Sequence, residues 1–269
     1  MRDTIHHFIA TETTSVIDYL KGPLQLDSNR TQALFDLGAI YLNHRRITES
    51  ESLKPQDYLR VHTLPKRYSV SGLSPDVIGE SKDFLVLYKP AGIPVHATVD
   101  NIQDNLVAIA KNKLGLDLLV THRIDVPTQG LVLMAKTPAF QSIFNRLLLE
   151  GKVIKRYRAI TTSPPTKGIW THYWRPSARA PHSVGDYPHP GHKPCVLTIQ
   201  SYRRHRLGYE LEMLLHTGRT HQIRTQLRRL GYPILGDNVY GGEPHHCLAL
   251  QAFELKFQDH VFTIDSRWG

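Results

Sequence analysis

The run Leu131-Val132-Leu133-Met134-Ala135 contains no polar side chain, and the stretch before it, His122 to Gly130, is a turn-forming segment that includes Pro127 and Gly130. Five apolar residues bounded by turn signals read as a strand buried on both faces, because a strand with one wet face would alternate. Such a strand needs a covering layer on either side. The turn that feeds it carries Asp125 two residues after Arg123, which sets a carboxylate at the edge of a core strand. A carboxylate asked to attack carbon or take a proton must stay charged where water is excluded, and burial alone drives it toward the neutral acid. A nearby guanidinium restores the charge, and Arg123 or Arg219 could supply it. An isolated Arg-x-Asp is more often a structural pair or a turn cap, so the reading depends on what accompanies it.

Regular elements are legible on both sides of this turn. Asp83 to Tyr88 is an apolar strand stopped by Lys89-Pro90-Ala91-Gly92, and a helix is expected from Asn105 to Leu114. Thr137 as cap and Pro138 at the first helical position open an amphipathic helix with Phe140, Ile143, Phe144, Leu147 and Leu148 on one side, ending at Gly151. Val153 to Thr161 and Leu207 to Leu215 read as strands, the second with Tyr209, Leu211, Met213 and Leu215 inward, and Thr220 to Leu230 as a helix. Ser163 to Lys193, rich in Pro, Gly and His and holding Trp170, Trp174, Arg175 and Arg179, reads as a long loop over the site. A polar seam at Pro65 to Gly72 separates a module over 1–68 from a domain over 69–269. In the module, Ser15 to Leu20 and Thr31 to Leu37 read as helices, followed by a strand that bends at Asn43-His44.

Charge points to the partner. The chain has 33 Lys+Arg against 24 Asp+Glu, a formal +9, with 16 histidines besides, which favours a polyanion. From Ser201 to Leu230 seven arginines meet only two glutamates, a positive surface beside the Asp125 turn. No apolar run approaches the roughly 18 residues that span a bilayer, and the first residues lack the apolar core of a secretory signal. With only Cys195 and Cys247, a disulfide scaffold is not expected, and a cytoplasmic location is.

The companion of the Asp125 turn is Leu215-His216-Thr217-Gly218-Arg219-Thr220-His221-Gln222-Ile223-Arg224. The two segments, with Lys89-Pro90-Ala91-Gly92 and with Gly231 to Gly242, resemble the RluA-type family of RNA pseudouridine synthases over about Phe84 to the C-terminus. The N-terminal order is similar to an S4-type module, although Asn43-His44-Arg45 stands where Asn-Gly-Lys is usual. The resemblance implies an α+β fold, with a mixed, largely antiparallel sheet in the catalytic domain and a small N-terminal α/β RNA-binding module. It also implies isomerisation of uridine in rRNA or tRNA, in the cytoplasm, by a monomer without metal or organic cofactor. It assigns catalysis to Asp125, Tyr157 and Arg219, with Arg219 holding Asp125 and Tyr157 against the flipped base. Contacts to RNA are expected from Arg123, Lys89, His122, Gln222, Arg224 and Arg228, and in the module from Arg30, Arg45 and Arg46. Gln129, Gln226 and Gln251 depart from the family pattern, which bears on substrate choice more than on chemistry.

Two other classes compete. A catalytically inactive RNA-binding or chaperone protein would use the same basic surface, but has no reason to keep Asp125, Tyr157 and Arg219 together. A metal-dependent hydrolase would need ligands, and His189, His192 and Cys195 or His245, His246 and Cys247 lack a second closely spaced pair of recognised pattern.

Overall fold

The computed structural model describes residues 4–178 and 180–268, so Arg179 lies outside the described residues. The chain forms two compact units, Met1–Ser74 with His96–Gly115 and Pro75–Val95 with Leu116–Gly269.

The first unit contains β1 (Ile5–Ile9), β2 (Thr14–Ser15), α1 (Val16–Lys21), α2 (Ser28–Asp36), β3 (Ile40–Leu42), β4 (Arg45–Ile47), β5 (Ser52–Leu53) and β6 (Tyr58–His62). Ser15 and Asp27 cap the two helices by accepting from Asp18 N at 3.1 Å and Arg30 N at 2.8 Å. The bend expected at Asn43-His44 is a two-residue turn with both φ positive, joining β3 to β4. Strands in the order β1-β6-β3-β4 cover a core of Leu20, Leu34, Phe35, Ile40, Leu53 and Leu59. The helix α3 (Leu106–Leu114) belongs to this unit, although the sequence seam leaves it in the other. The segment before it is tied in by polar contacts that no periodicity announces. Ile102 N donates to Leu37 O at 3.0 Å, and Arg67 Nε meets Asp104 Oδ2 at 2.7 Å.

The second unit is built on one large sheet. Its strands are β7 (Asp76–Glu80), β8 (Phe84–Lys89), β9 (Leu119–Val120), β10 (Gln129–Ala135), β11 (Val153–Thr161), β12 (Gly168–Arg175), β13 (Ser183–Gly185), β14 (Lys193–His205), β15 (Gly208–Leu215), β16 (Leu250–Phe257) and β17 (His260–Thr263). They run β13-β12-β14-β15-β11-β16-β10-β8-β7, with β17 on β16 and β9 on β10. Among the described residues, only β10 and β16 pair in parallel. The fold is therefore α+β with a mixed, mostly antiparallel sheet. All seven residues of β10 are buried, as an apolar run in mid-sheet requires.

The helix α4 (Pro138–Leu149) packs Phe140, Phe144, Leu147 and Leu148 on Phe84, Leu131, Leu133 and Phe257. Its Thr137 cap accepts from Phe140 N at 3.2 Å. Ile143, expected on that stripe, is 40% exposed, because the inward positions are 140, 144, 147 and 148, with Phe144 fully buried. The helix α5 (Gln222–Arg229) follows β15. The expected loop 163–193 contains two strands, since β12 pairs with β14 from Gly168 to Trp174 and β13 closes on its end. Composition hid this because Pro and Gly are frequent through the segment, while Ile169 to Trp174 is β-prone.

Candidate active site

One row of the sheet makes the floor. Lys89 on β8 lies opposite Gly130 on β10, Gly130 opposite Ala252 on β16, and Ala252 opposite Tyr157 on β11. Residues in register across a sheet share a face, so Lys89 and Tyr157 flank two positions with almost no side chain. Gly130 has φ +126, and a Cβ there would run into the Ala252 carbonyl. The turn entering β10 is held by Gly92 N to Val126 O at 2.8 Å and Thr128 N to Asp125 O at 3.0 Å. Asp125 keeps 21% of its side-chain surface open.

Lys89 is wholly buried. Its three ammonium protons go to Pro90 O at 2.8 Å, Ile93 O at 2.8 Å and Val126 O at 3.0 Å, which fastens the Asp125 turn to the end of β8. Burial pulls its ammonium down to about 7, against the opposing effect of Asp125. The unfolded chain keeps that proton up to the ordinary lysine value of 10.5, so the folded state is penalised below about 7 and relieved as pH rises between the two. Wild-type protein is expected to gain on the order of a few kcal/mol relative to Lys89→Met between about pH 7 and about pH 9.5. Urea unfolding of both proteins at the two pH values measures this, and parallel slopes would refute it.

The guanidinium at Asp125 is that of Arg224. Its Nη1 lies 3.7 Å from Asp125 Oδ2, while Nε and Nη2 donate to Asp237 Oδ2 and Oδ1, each at 2.8 Å. Arg224 is 3% exposed and Asp237 1%, a buried two-point pair that aims the third nitrogen at Asp125. Tyr157 is 6% exposed, and burial, with Asp125 adding to it, pushes its phenol far above the usual range. It stays protonated. Tyr240, 2% exposed, lies under the Arg224 guanidinium at 4.8 Å, and its hydroxyl meets His221 Nδ1 at 3.0 Å and accepts from His182 N at 2.9 Å.

Several expected contacts fall elsewhere. Arg219 precedes α5, its Nε points to Pro194 O at 3.4 Å, and its own N–H donates to Gln222 Oε1 at 3.0 Å. It does not reach Asp125 here, because the turn 217–222 folds on itself and presents the first turn of α5 instead. Gln222 is buried, accepting also from Thr217 Oγ1 at 2.8 Å and donating to Gln226 Oε1 at 2.9 Å, so it holds the turn rather than RNA. His122 Nε2 accepts from Leu133 N at 3.0 Å, and burial takes its imidazole down to about 3, which keeps it neutral and structural. Lys89 has no donor left for a phosphate. Arg123 and Arg228 are exposed. In the first unit, Arg45 pairs with Glu51 at 2.5 Å, Arg46 is spent on Tyr41 and on Thr98 O at 2.6 Å, and Arg30 Nη2 reaches Thr63 O at 3.3 Å. Asp237, Tyr240, His221 and His182 were not picked out as site residues. An acid in the Gly236-Asp237 turn with a buried arginine one helix earlier was the available signal.

Among the described residues, His245, His246 and Cys247 form the one group able to hold a metal, with ligand atoms within 4.8 Å of one another. Cys195 is buried and donates to His172 O at 3.3 Å. No helix among the described residues is long and apolar enough to cross a membrane.

Comparison with known proteins shows which family this sequence and its mixed sheet belong to. The sequence profile described as RNA pseudouridylate synthase matches residues 83–229, and the chain belongs to that family. It is 37% identical over 223 residues to the Oryza sativa subsp. japonica protein named RNA pseudouridine synthase 6, chloroplastic, covering 72% of this chain and 46% of that one. It is 34% identical over 188 residues to the Pasteurella multocida protein named ribosomal large subunit pseudouridine synthase D, covering 66% of this chain and 56% of that one. The chain thus spans about half the length of the curated relatives it matches. The solved structure of human RNA pseudouridylate synthase domain containing 4 has the same fold, with a TM-score of 0.58 at 22% identity over 71% of this chain and 88% of that one.

Proposed function

We propose that the chain converts specific uridines of structured RNA, ribosomal or transfer, to pseudouridine. The observation that carries this reading is the 3.7 Å approach of Arg224 to Asp125 over the row that ends in Tyr157. The target nucleotide is extruded into the site, where its base loses its stacking partners. Asp125 attacks C1′ or takes a proton from the ribose, and the N1–C1′ bond breaks. The freed uracil turns, C5 bonds to C1′ as the Asp125–C1′ bond breaks or the ribose regains its proton from Asp125, and the proton leaves C5 while N1 gains one. Atoms and electrons balance within the substrate, so no cofactor is called for. Arg224 orients the carboxylate, the neutral Tyr157 ring supports the uracil, and Arg123 fills the gap left in the RNA.

The N-terminal unit, as an S4-like module, offers Arg45 to phosphates, since its side chain stays 63% exposed beside Glu51. The names of the bacterial relatives favour large-subunit rRNA. The protein acts as a monomer in the cytoplasm, a reducing compartment that suits its two unpaired thiols. Mapping pseudouridines in total RNA with the gene, without it, and with Asp125→Asn in its place tests the reading. At least one site should vanish in both altered strains, and an unchanged map would remove the proposal.

A further inference from the structure

Four rings form a continuous path from the surface to the carboxylate. Trp174, half-buried near the end of β12, lies 5.3 Å from His182 between ring centroids, His182 lies 5.1 Å from His221 edge-on, and His221 lies 5.7 Å from Tyr240. The inner two sit close enough to Asp125 for its charge to bear on both. The outer two come from the β12–β13 segment, which has no part in holding Asp125. Both are nonetheless fixed in place. Trp174 Nε1 donates to Thr220 O at 3.1 Å, and the His182 backbone N–H donates to the Tyr240 hydroxyl. The His182 Nδ1 is buried, and it has no hydrogen-bond partner among the described residues. A buried ring nitrogen left unmatched is costly unless something supplies its partner.

We propose that Trp174 and His182 form a subsite for the nucleobase next to the target uridine, with the base stacking on the indole and hydrogen-bonding to His182 Nδ1. This rests on the reading of Asp125 as the centre of uridine isomerisation. When a nucleotide is flipped out of single-stranded or looped RNA, its neighbour loses stacking on one face, and a fixed aromatic surface one ring away from the site replaces that contact. Every base offers a π-face, whereas only an edge that can pair with an imidazole nitrogen satisfies His182. The indole therefore supplies affinity, and the histidine supplies preference among bases.

The test needs binding alone. The probes are an RNA hairpin with a seven-nucleotide loop and one central uridine, and two versions with an abasic site on its 5′ or 3′ side. Affinities are measured for wild type, Trp174→Ala, Trp174→Phe and His182→Ala. One of the two abasic sites should weaken wild-type binding about tenfold. The same site should change the affinity of Trp174→Ala less than twofold, while Trp174→Phe behaves like wild type. His182→Ala should flatten the ranking of the four bases at that position. Losses that add between protein and RNA changes, or no measurable affinity of wild type for the hairpin, would overturn the subsite. A melting temperature measured for each variant separates misfolding from lost contact, and Trp174→Phe keeps the question answerable if Trp174→Ala unfolds. The uridine reading fails separately, through an unchanged pseudouridine map, which leaves the binding cycle intact.

Discussion

Asp125→Asn is expected to lower conversion of uridine on the order of 10³-fold or more while RNA affinity changes by only a few-fold. The substitution removes one charge and almost no volume. The turn that carries residue 125 is fastened through its backbone, by Gly92 N and Lys89 Nζ to Val126 O and by Thr128 N to Asp125 O, so the loop keeps its shape. The amide is a poor nucleophile and a poor base, and it offers no charge to the guanidinium 3.7 Å away. Affinity for RNA comes mainly from cations meeting phosphates, and losing one anion beside them does not weaken it. Single-turnover assays with filter binding on the same RNA give both numbers. Turnover near wild type would refute the assignment of Asp125.

Arg224→Ala is the second large effect, this time on stability as well as turnover. Asp237 is 1% exposed and receives two hydrogen bonds from Arg224. Deleting one partner of a buried pair strands the other charge, at about 3–5 kcal/mol. Thermal and urea unfolding should show that loss. Arg224→Lys should not repair the site, because an ammonium cannot bridge two carboxylates as a planar fork does. The double variant Arg224→Met with Asp237→Leu separates the two roles. An apolar pair of similar volume commonly restores stability, so the fold should recover while conversion stays lost. A double variant that recovers both would show that Arg224 acts only as a strut, and Arg224→Ala melting with wild type would show that it is not even that.

The relation of sequence to site is clear in these two residues. Asp125 could be singled out because its turn, together with the Leu215 to Arg224 segment, resembles the family's motifs. Its cation could not be. Arg219 and Arg224 share one basic motif, and choosing between them requires knowing where α5 starts and which way its first turn faces. The structure begins the helix at Gln222, after a left-handed His221, and that rotation turns Arg224 inward and leaves Arg219 at the turn. Lys89, Gln222 and His122, expected at RNA, are held by partners inside the protein. A polar side chain inside a motif looks like a ligand contact until the groups it satisfies are in view, and which groups those are depends on how the local turns fold. Residues 163–193 were misread because edge strands held by hydrogen bonds to β14 need little hydrophobic signature of their own.

What the sequence by itself determined is local: the positions of several strands and helices, the capped start of α4 and the turn at Asn43-His44. These follow from periodicity, turn chemistry and apolar runs, which act over a few residues. Only the tertiary structure decided the pairing of Arg224 with Asp125 and Asp237, the alignment of Lys89, Gly130, Ala252 and Tyr157 across four strands, and the approach of His182 to His221. Each of these is a distance between chain-distant atoms set by strand register and helix rotation, where a shift of one residue would send the side chain to the opposite face.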